Sequence, residues 1–306
     1  MKDKISLFSV DNKVGQFIIL IVLGLTWGSS FILMKKGLVA FESFEVALIR
    51  LFFAFIVIFP FLIKELRTIP KDKYIWLALT GWLGNGLPAF LFALGISKID
   101  SSLGGIINST TPIFTLLIGI FFFGLQFQKS AVWGIVVGLL GTVYLIASGY
   151  KGEQDSRFVY ALFPLLGSVL YGFSNTIIKI KLAELKPVVI TASAFTALMP
   201  VIIPAFFLLG IPQKAVENEI HFIAFSYSAL LGILGTSLAV IVYNYLIKHT
   251  SILFAASVTY IIPVFAMAWG FVFGEALSIH YFIGLAIIIT GVWMVNKSGQ
   301  AKGIKK

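Results

Sequence analysis

Long apolar runs alternate with short polar joints along the whole chain. They cover residues 16–37, 45–64, 74–97, 101–124, 130–149, 157–180, 188–209, 222–247, 251–274 and 278–296. Each is close to the roughly 20 residues that cross a hydrocarbon layer as a helix. In lipid every backbone N–H and C=O must find an internal partner, so each run predicts a helix. The expected fold is all-α, a polytopic membrane protein of ten transmembrane helices. The joints are short, the longest lying at about 210–221, and leave no room for a soluble domain. The first run follows a polar start with Asp3 and Asp11 and has no small-residue cleavage site after it. It is expected to be a retained span rather than a signal peptide.

Composition strengthens this picture. Of 306 residues, 59% are hydrophobic and only 12% charged, about half the charged share of a soluble domain. The net charge of +10 does not suggest nucleic acid, because the bases sit in the joints rather than in one arm or helix. With the N-terminus in the cytoplasm, the alternation of spans puts Lys35, Lys36, Lys98, Lys151, Arg157 and Lys214 outside. All the other Lys and Arg fall on the cytoplasmic side, apart from Arg50 within a span. That bias predicts both termini inside and an even number of spans. There is no cysteine, hence no disulfide and no thiolate metal site; no metal or cofactor is expected.

The two halves of the chain resemble each other. Trp27-Gly28 with Lys35 lies over Tyr171-Gly172 with Lys179 at an offset of 144. Pro112 lies over Pro263, Gly84 over Gly235 and Gly119 over Gly270 at an offset of 151. Gly134 and Gly141 lie over Gly284 and Gly291 at 150. Five helices per half is an odd number, so the second half enters from the opposite face. The expected organisation is two inverted five-helix repeats, 16–149 and 157–296, in one membrane unit.

Five plus five spans, with Trp27-Gly-Ser-Ser-Phe31 and Phe273-Gly-Glu275, resemble the EamA-type carriers of the drug/metabolite transporter superfamily. The resemblance covers about residues 16–296. It implies a basket of helices around a central cavity, alternating access, and export of amino acids, related metabolites or toxic compounds. It places the fifth and tenth helices away from the cavity and implies a bacterial plasma membrane. One departure is visible: Glu275 follows Gly274, whereas Leu125 follows Gly124 in the first half.

A carrier must replace the water its substrate loses, and polar groups in a span normally face a cavity or another helix. Trp27, Phe31 and Lys35 share one helix face, with Ser30 beside them; Tyr171, Asn175 and Lys179 share the matching face. Both lysines have a second reading, in which they snorkel to the interfaces. In the fourth and ninth helices a proline leaves the carbonyl four residues earlier without its helical donor. Pro112 and Pro263 are therefore candidate kinks or hinges. Asn108 and Thr111 beside the first, and Thr259 and Tyr260 beside the second, are candidate substrate contacts, because broken helices at matched points mark many carrier sites. Local satisfaction of those carbonyls by Ser and Thr is the alternative. Trp82 and Asn85 in the third helix and Tyr243 in the eighth, with Thr236, Ser237 and Asn244 near it, are further candidates. Arg50 and Glu275 are a candidate gate; Glu275 could instead favour the start of the tenth helix.

No Asp or Glu lies in the middle of a span, and His221, His249 and His280 sit at helix ends. A proton relay of the usual carboxylate or histidine kind is therefore not expected. The pattern predicts a carrier that exports or exchanges a small polar metabolite, such as an amino acid or related compound. A nucleotide-sugar or phosphometabolite antiporter is the alternative, and would want several cations around the cavity. A non-transporting sensor or scaffold is the reading from another class. An enzyme is not expected, because the sequence has no His-Glu-x-x-His, no Gly-x-Ser-x-Gly and no carboxylate pair in a span. The expected partners are a small-molecule substrate and the lipid bilayer, not nucleic acid, with the chain as a monomer.

Overall fold

The computed structural model describes residues 13–63, 69–125, 129–148 and 157–299. The start of the chain with Lys2 and Lys4, the joints with Lys64, Arg67 and Lys151, and the end with Lys302, Lys305 and Lys306 lie outside the described residues. So do the side chains of Lys129 and Arg157.

The described residues form helices and turns with no strand. The main segments are α1 (Lys13–Gly37), α2 (Ser43–Ile63), α3 (Lys71–Ile96), α4 (Ser101–Phe123) and α5 (Lys129–Ser148). They continue with α6 (Arg157–Lys181), α7 (Pro187–Thr196 and Met199–Leu208), α8 (Glu219–His249), α9 (Phe254–Val272) and α10 (Ile279–Gly299). Eight helices among the described residues are long and apolar enough to cross a membrane, or nine if the two pieces of α7 form one span. The sequence led to an expectation of ten. The difference lies in α7 and α10. The pieces of α7 meet at an angle of 50°: Pro200 stands at the start of the second piece, where a missing N–H is tolerated, but it cannot continue the first. α10 is a helix of 21 residues, Ile279–Gly299, and its apolar part Ile279–Val295 belongs to the shorter apolar helices.

Large apolar side chains cover the outside, among them Phe121, Phe122, Trp133, Leu140, Phe207, Leu208 and Phe271. Water would not tolerate so extensive an apolar surface; hydrocarbon does. The chain is a multi-pass membrane protein.

With no hydrophobic drive between helices in lipid, close packing at small residues holds such bundles together. α5 and α10 pack along their length on each other. A Cβ on Gly291 would lie 2.6 Å from the Gly134 carbonyl, and one on Gly141 would lie 2.8 Å from Ile287. Elsewhere the halves interlock: α1 packs on α9, α6 on α4, α2 on α8 and α3 on α7. The contacts recur in related pairs. A Cβ on Gly28 would meet Phe265, and one on Gly172 would meet Phe114. Likewise Gly232 lies against the Arg50 backbone and Gly81 against that of Ala194.

Two segments depart from α geometry at corresponding places. Trp82–Gly86 in α3 and Leu231–Leu238 in α8 are π-helical. A π turn widens the helix locally and is frequent at functional sites. The prolines break α4 and α9 rather than bend them. Pro112 and Pro263 are each the second residue of a new helix, after a turn at Ser109–Thr110 and a 3-10 turn at Ser257–Tyr260.

Candidate functional site

The breaks and π turns surround one internal cavity. It is lined by α1 (Trp27, Ser30, Phe31, Met34), α2 (Arg50), α3 (Thr80, Gly84, Asn85, Phe92) and α4 (Asn108, Thr111). The far wall is α6 (Tyr171, Ser174, Asn175, Ile178), α7 (Thr191, Ala194), α8 (Val240, Tyr243, Asn244) and α9 (Thr259). Among the described residues α5 and α10 contribute nothing to it. The space open to the centres of water molecules is about 100 Å³, where one water needs about 10–15 Å³.

The aromatic rim is fixed by ring contacts and one indole hydrogen bond. Trp27 meets Tyr243 edge-on with ring centres 5.0 Å apart, and its Nε1 donates to the Gly235 carbonyl at 2.7 Å. Tyr171 stacks on Phe92 at 5.7 Å. Asn175 Nδ2 reaches Thr115 Oγ1 at 3.5 Å, and its side chain lies near the Tyr243 hydroxyl. Asn244 Nδ2 donates to Thr191 Oγ1 at 2.9 Å.

Pro112 frees the Asn108 carbonyl as the sequence implied, but Thr111 Oγ1 donates to it at 2.8 Å. The hydroxyl one residue before the proline satisfies the group locally. What Asn108 offers to the cavity is its side-chain amide.

Arg50 is the charged residue in the cavity wall. It is 9% exposed. Its Nε donates to Thr236 Oγ1 at 2.7 Å, and its guanidinium interacts with the Tyr171 hydroxyl. Thr236 Oγ1 in turn donates to the Leu231 carbonyl five residues back, a partner that the π turn places there.

Of the residues singled out in the sequence, Trp27, Ser30, Asn85, Asn108, Thr111, Tyr171, Asn175, Tyr243 and Thr259 come together in this lining. Trp82 and Tyr260 pack partly buried against the core and are not part of it. Nor are the two lysines. Lys179 Nζ donates to the carbonyls of Ile247 and Thr250 at 2.8 and 2.6 Å, closing the C-terminal end of α8, where a cation is favoured. Lys35 lies at the other end of the bundle, in an ion pair with Glu275 at 2.8 Å.

Arg50 and Glu275 do not pair, so the ion-pair form of that gate is corrected. Arg50 turns into the cavity, whereas Glu275 stands beyond α9, after Gly274 with φ of 85°. Glu275 does sit at a helix start, but that of α4 rather than α10. Its carboxylate accepts from the Ser101 and Ser102 backbone N–H groups at 2.8 and 3.1 Å and from Ser102 Oγ at 2.7 Å. Burial alone would raise the Glu275 carboxyl; the hydrogen bonds from Lys35, Ser102 and Ser101 outweigh it and bring it from 4.5 down to about 2. Asp100 lies 3.7 Å from Lys35 and accepts from the Tyr281 hydroxyl at 2.6 Å. On the same side, the hydrogen bond to Glu45 raises Lys214 above its ordinary 10.5.

Sequence reasoning passed over Thr80, Phe92, Thr191 and Ala194, which the tertiary packing brings to the wall. Arg50 carried a usable signal, since an ionisable residue inside a span is a functional candidate by default.

Relatives align with most of the chain. It is 28% identical over 286 residues to the "Uncharacterized inner membrane transporter YedA" of Escherichia coli (strain K12), covering 90% of this chain and 89% of that one. It is 23% identical over 294 residues to a protein of the same organism named "Probable amino-acid metabolite efflux pump", covering 93% and 95%. One crystal structure aligns over 95% of this chain and 100% of its own, with a TM-score of 0.63 at 17% identity; that likeness concerns the fold alone. The EamA-like transporter family matches residues 15–147 and again 158–297, and the chain belongs to that family.

Proposed function

We propose that this protein is a carrier that exports or exchanges a small polar metabolite, an amino acid or related compound, by alternating access through the cavity described above. The observation that carries the reading is the convergence of eight helices from both halves on one cavity with polar side chains in its wall. In this reading the chain has ten spans in two inverted repeats, 16–149 and 157–296. α7 counts as one broken span and α10, 21 residues long, as the last. The recurrence of the Gly28–Phe265 and Gly172–Phe114 contacts supports the repeat. Both termini lie in the cytoplasm, a reading that rests on the Lys and Arg bias; the membrane is a bacterial inner membrane, which the relative named an inner membrane transporter supports. The breaks at Pro112 and Pro263 serve as hinges, and the chain acts as a monomer without a cofactor.

Among the described residues the cavity lining holds no Asp, Glu or His, which supports transport without a proton relay of that kind. It also bears on the antiporter alternative. A phosphorylated substrate would want several cations, and Arg50 stands alone in the lining while Lys35 and Lys179 are engaged at opposite ends.

The test is flux in proteoliposomes loaded with a panel of amino acids and small metabolites. Saturable counterflow of at least one of them is expected. Liposomes no more permeable than empty ones to every panel member would overturn the reading and favour a sensor or scaffold.

A further inference from the structure

The carrier reading leaves open what kind of group the cavity recognises, and Arg50 bears on that. A buried guanidinium is always charged, and taking a charge out of water is costly unless a partner offsets it. Among the described residues no carboxylate lies within 4.0 Å of Arg50. Its partners are two neutral hydroxyls, Thr236 Oγ1 and that of Tyr171, which occupy only part of its five N–H donors. The repeat makes the charge one-sided. At the offset of 144 that relates α1 to α6, the position of Arg50 falls on Ala194, which lines the opposite wall. On that side stands a group of the complementary kind: Asn244 Oδ1, buried and without a hydrogen-bond partner among the described residues. The cavity thus offers an unbalanced cation at one wall, while the buried Asn244 Oδ1 near the other lacks a partner.

We propose that Arg50 is the substrate-anchoring residue, and that the cavity takes molecules carrying a single carboxylate, which the guanidinium binds. A planar carboxylate matches the guanidinium fork. A dianion such as a phosphate monoester would exchange one uncompensated charge for another, since no second cation lines the space. The Thr236 and Tyr171 hydroxyls hold the guanidinium in place, and the π turn in α8 is what brings Thr236 to it.

This inference rests on the carrier reading but is tested separately, by binding to the purified full chain. The probes are the protein amino acids and the matching α-hydroxy acids, each compared with its amide, and thermal stabilisation is the readout. In the wild type at least one acid is expected to bind roughly 10-fold or more tightly than its amide, the scale of one charge-assisted hydrogen-bonded contact. Arg50→Gln removes that preference while amide binding changes little, and Arg50→Lys keeps part of it. A wild type that prefers no acid over its amide, whether both bind or neither does, overturns the proposal. So does an Arg50→Gln chain that keeps the preference. Should Arg50→Gln fail to fold, the wild-type comparison and Arg50→Lys still decide. Flux indifferent to the carboxylate would leave the carrier standing and remove Arg50 as anchor. Acid-selective binding without any flux would do the reverse.

Discussion

The Lys35 ammonium and the Glu275 carboxylate, 240 residues apart in the chain, meet at 2.8 Å at one end of the bundle. The same carboxylate caps the start of α4 through Ser101 and Ser102, so one side chain ties α1, α4 and the end of α9. In the other half Leu125 occupies the corresponding place, and Lys179 binds backbone carbonyls instead. The two ends of the bundle are therefore held by different chemistry. Replacing Glu275 with Gln keeps the shape but removes the charge. It should cost about 1–3 kcal/mol of stability and loosen that end. Thermal melting reads the first effect, and reactivity of a cysteine introduced at Ser102 reads the second; unchanged values in both would show that the contact does not hold the end closed.

The contact also has a defined pH window. Glu275 is brought down from 4.5 to about 2. A carboxylate lowered on folding stabilises fully above its unfolded value and loses that contribution as pH falls toward the folded one. The stability difference between wild type and Glu275→Gln should be flat from pH 5 to pH 8 and shrink from about 4.5 downward. A difference that varies between pH 6 and pH 8 would mean that another group titrates at this contact.

Cavity residues should affect transport without unfolding the chain. Asn108→Ala, Tyr171→Ala and Asn175→Ala each remove a polar group from the wall. Each is expected to lower flux efficiency about 5-fold or more, equivalent to about 1 kcal/mol, at normal protein levels. Normal transport in all three would remove the cavity from the mechanism.

The α5–α10 pair gives the contrasting case. Gly291→Leu pushes a side chain into the Gly134 and Gly138 backbones and should destabilise by about 1–3 kcal/mol, as overpacking does. Because neither helix lines the cavity, KM should stay near the wild-type value. A large change in KM with unchanged melting would contradict that division of labour.

Two further measurements address coupling and orientation. A pH gradient imposed across proteoliposomes should not drive uphill accumulation, since no carboxylate or histidine lines the cavity; accumulation would reveal a relay elsewhere. The chain has no cysteine, so single substitutions label cleanly. Lys98→Cys and Lys297→Cys should react from opposite sides of the membrane, Lys98→Cys from outside. Labelling from one side would break the proposed topology.

The order of apolar runs was enough to give helices to within a few residues, though not the breaks in α4, α7 and α9, because lipid leaves the backbone no other way to satisfy itself. The matched landmarks Trp27 and Tyr171 gave the faces that enclose the cavity. Those decisions are local and periodic, and a linear pattern records them. Which polar groups remain available is not local. Thr111 consumes the carbonyl that Pro112 frees, Glu275 reaches the first turn of α4 rather than its own neighbour α10, and the lysines find partners at opposite ends. Arg50 meets its partner Thr236, 186 residues away in the π turn of α8, at 2.7 Å in the cavity wall. Such pairings depend on distances between segments as much as 240 residues apart, and only packing sets those distances.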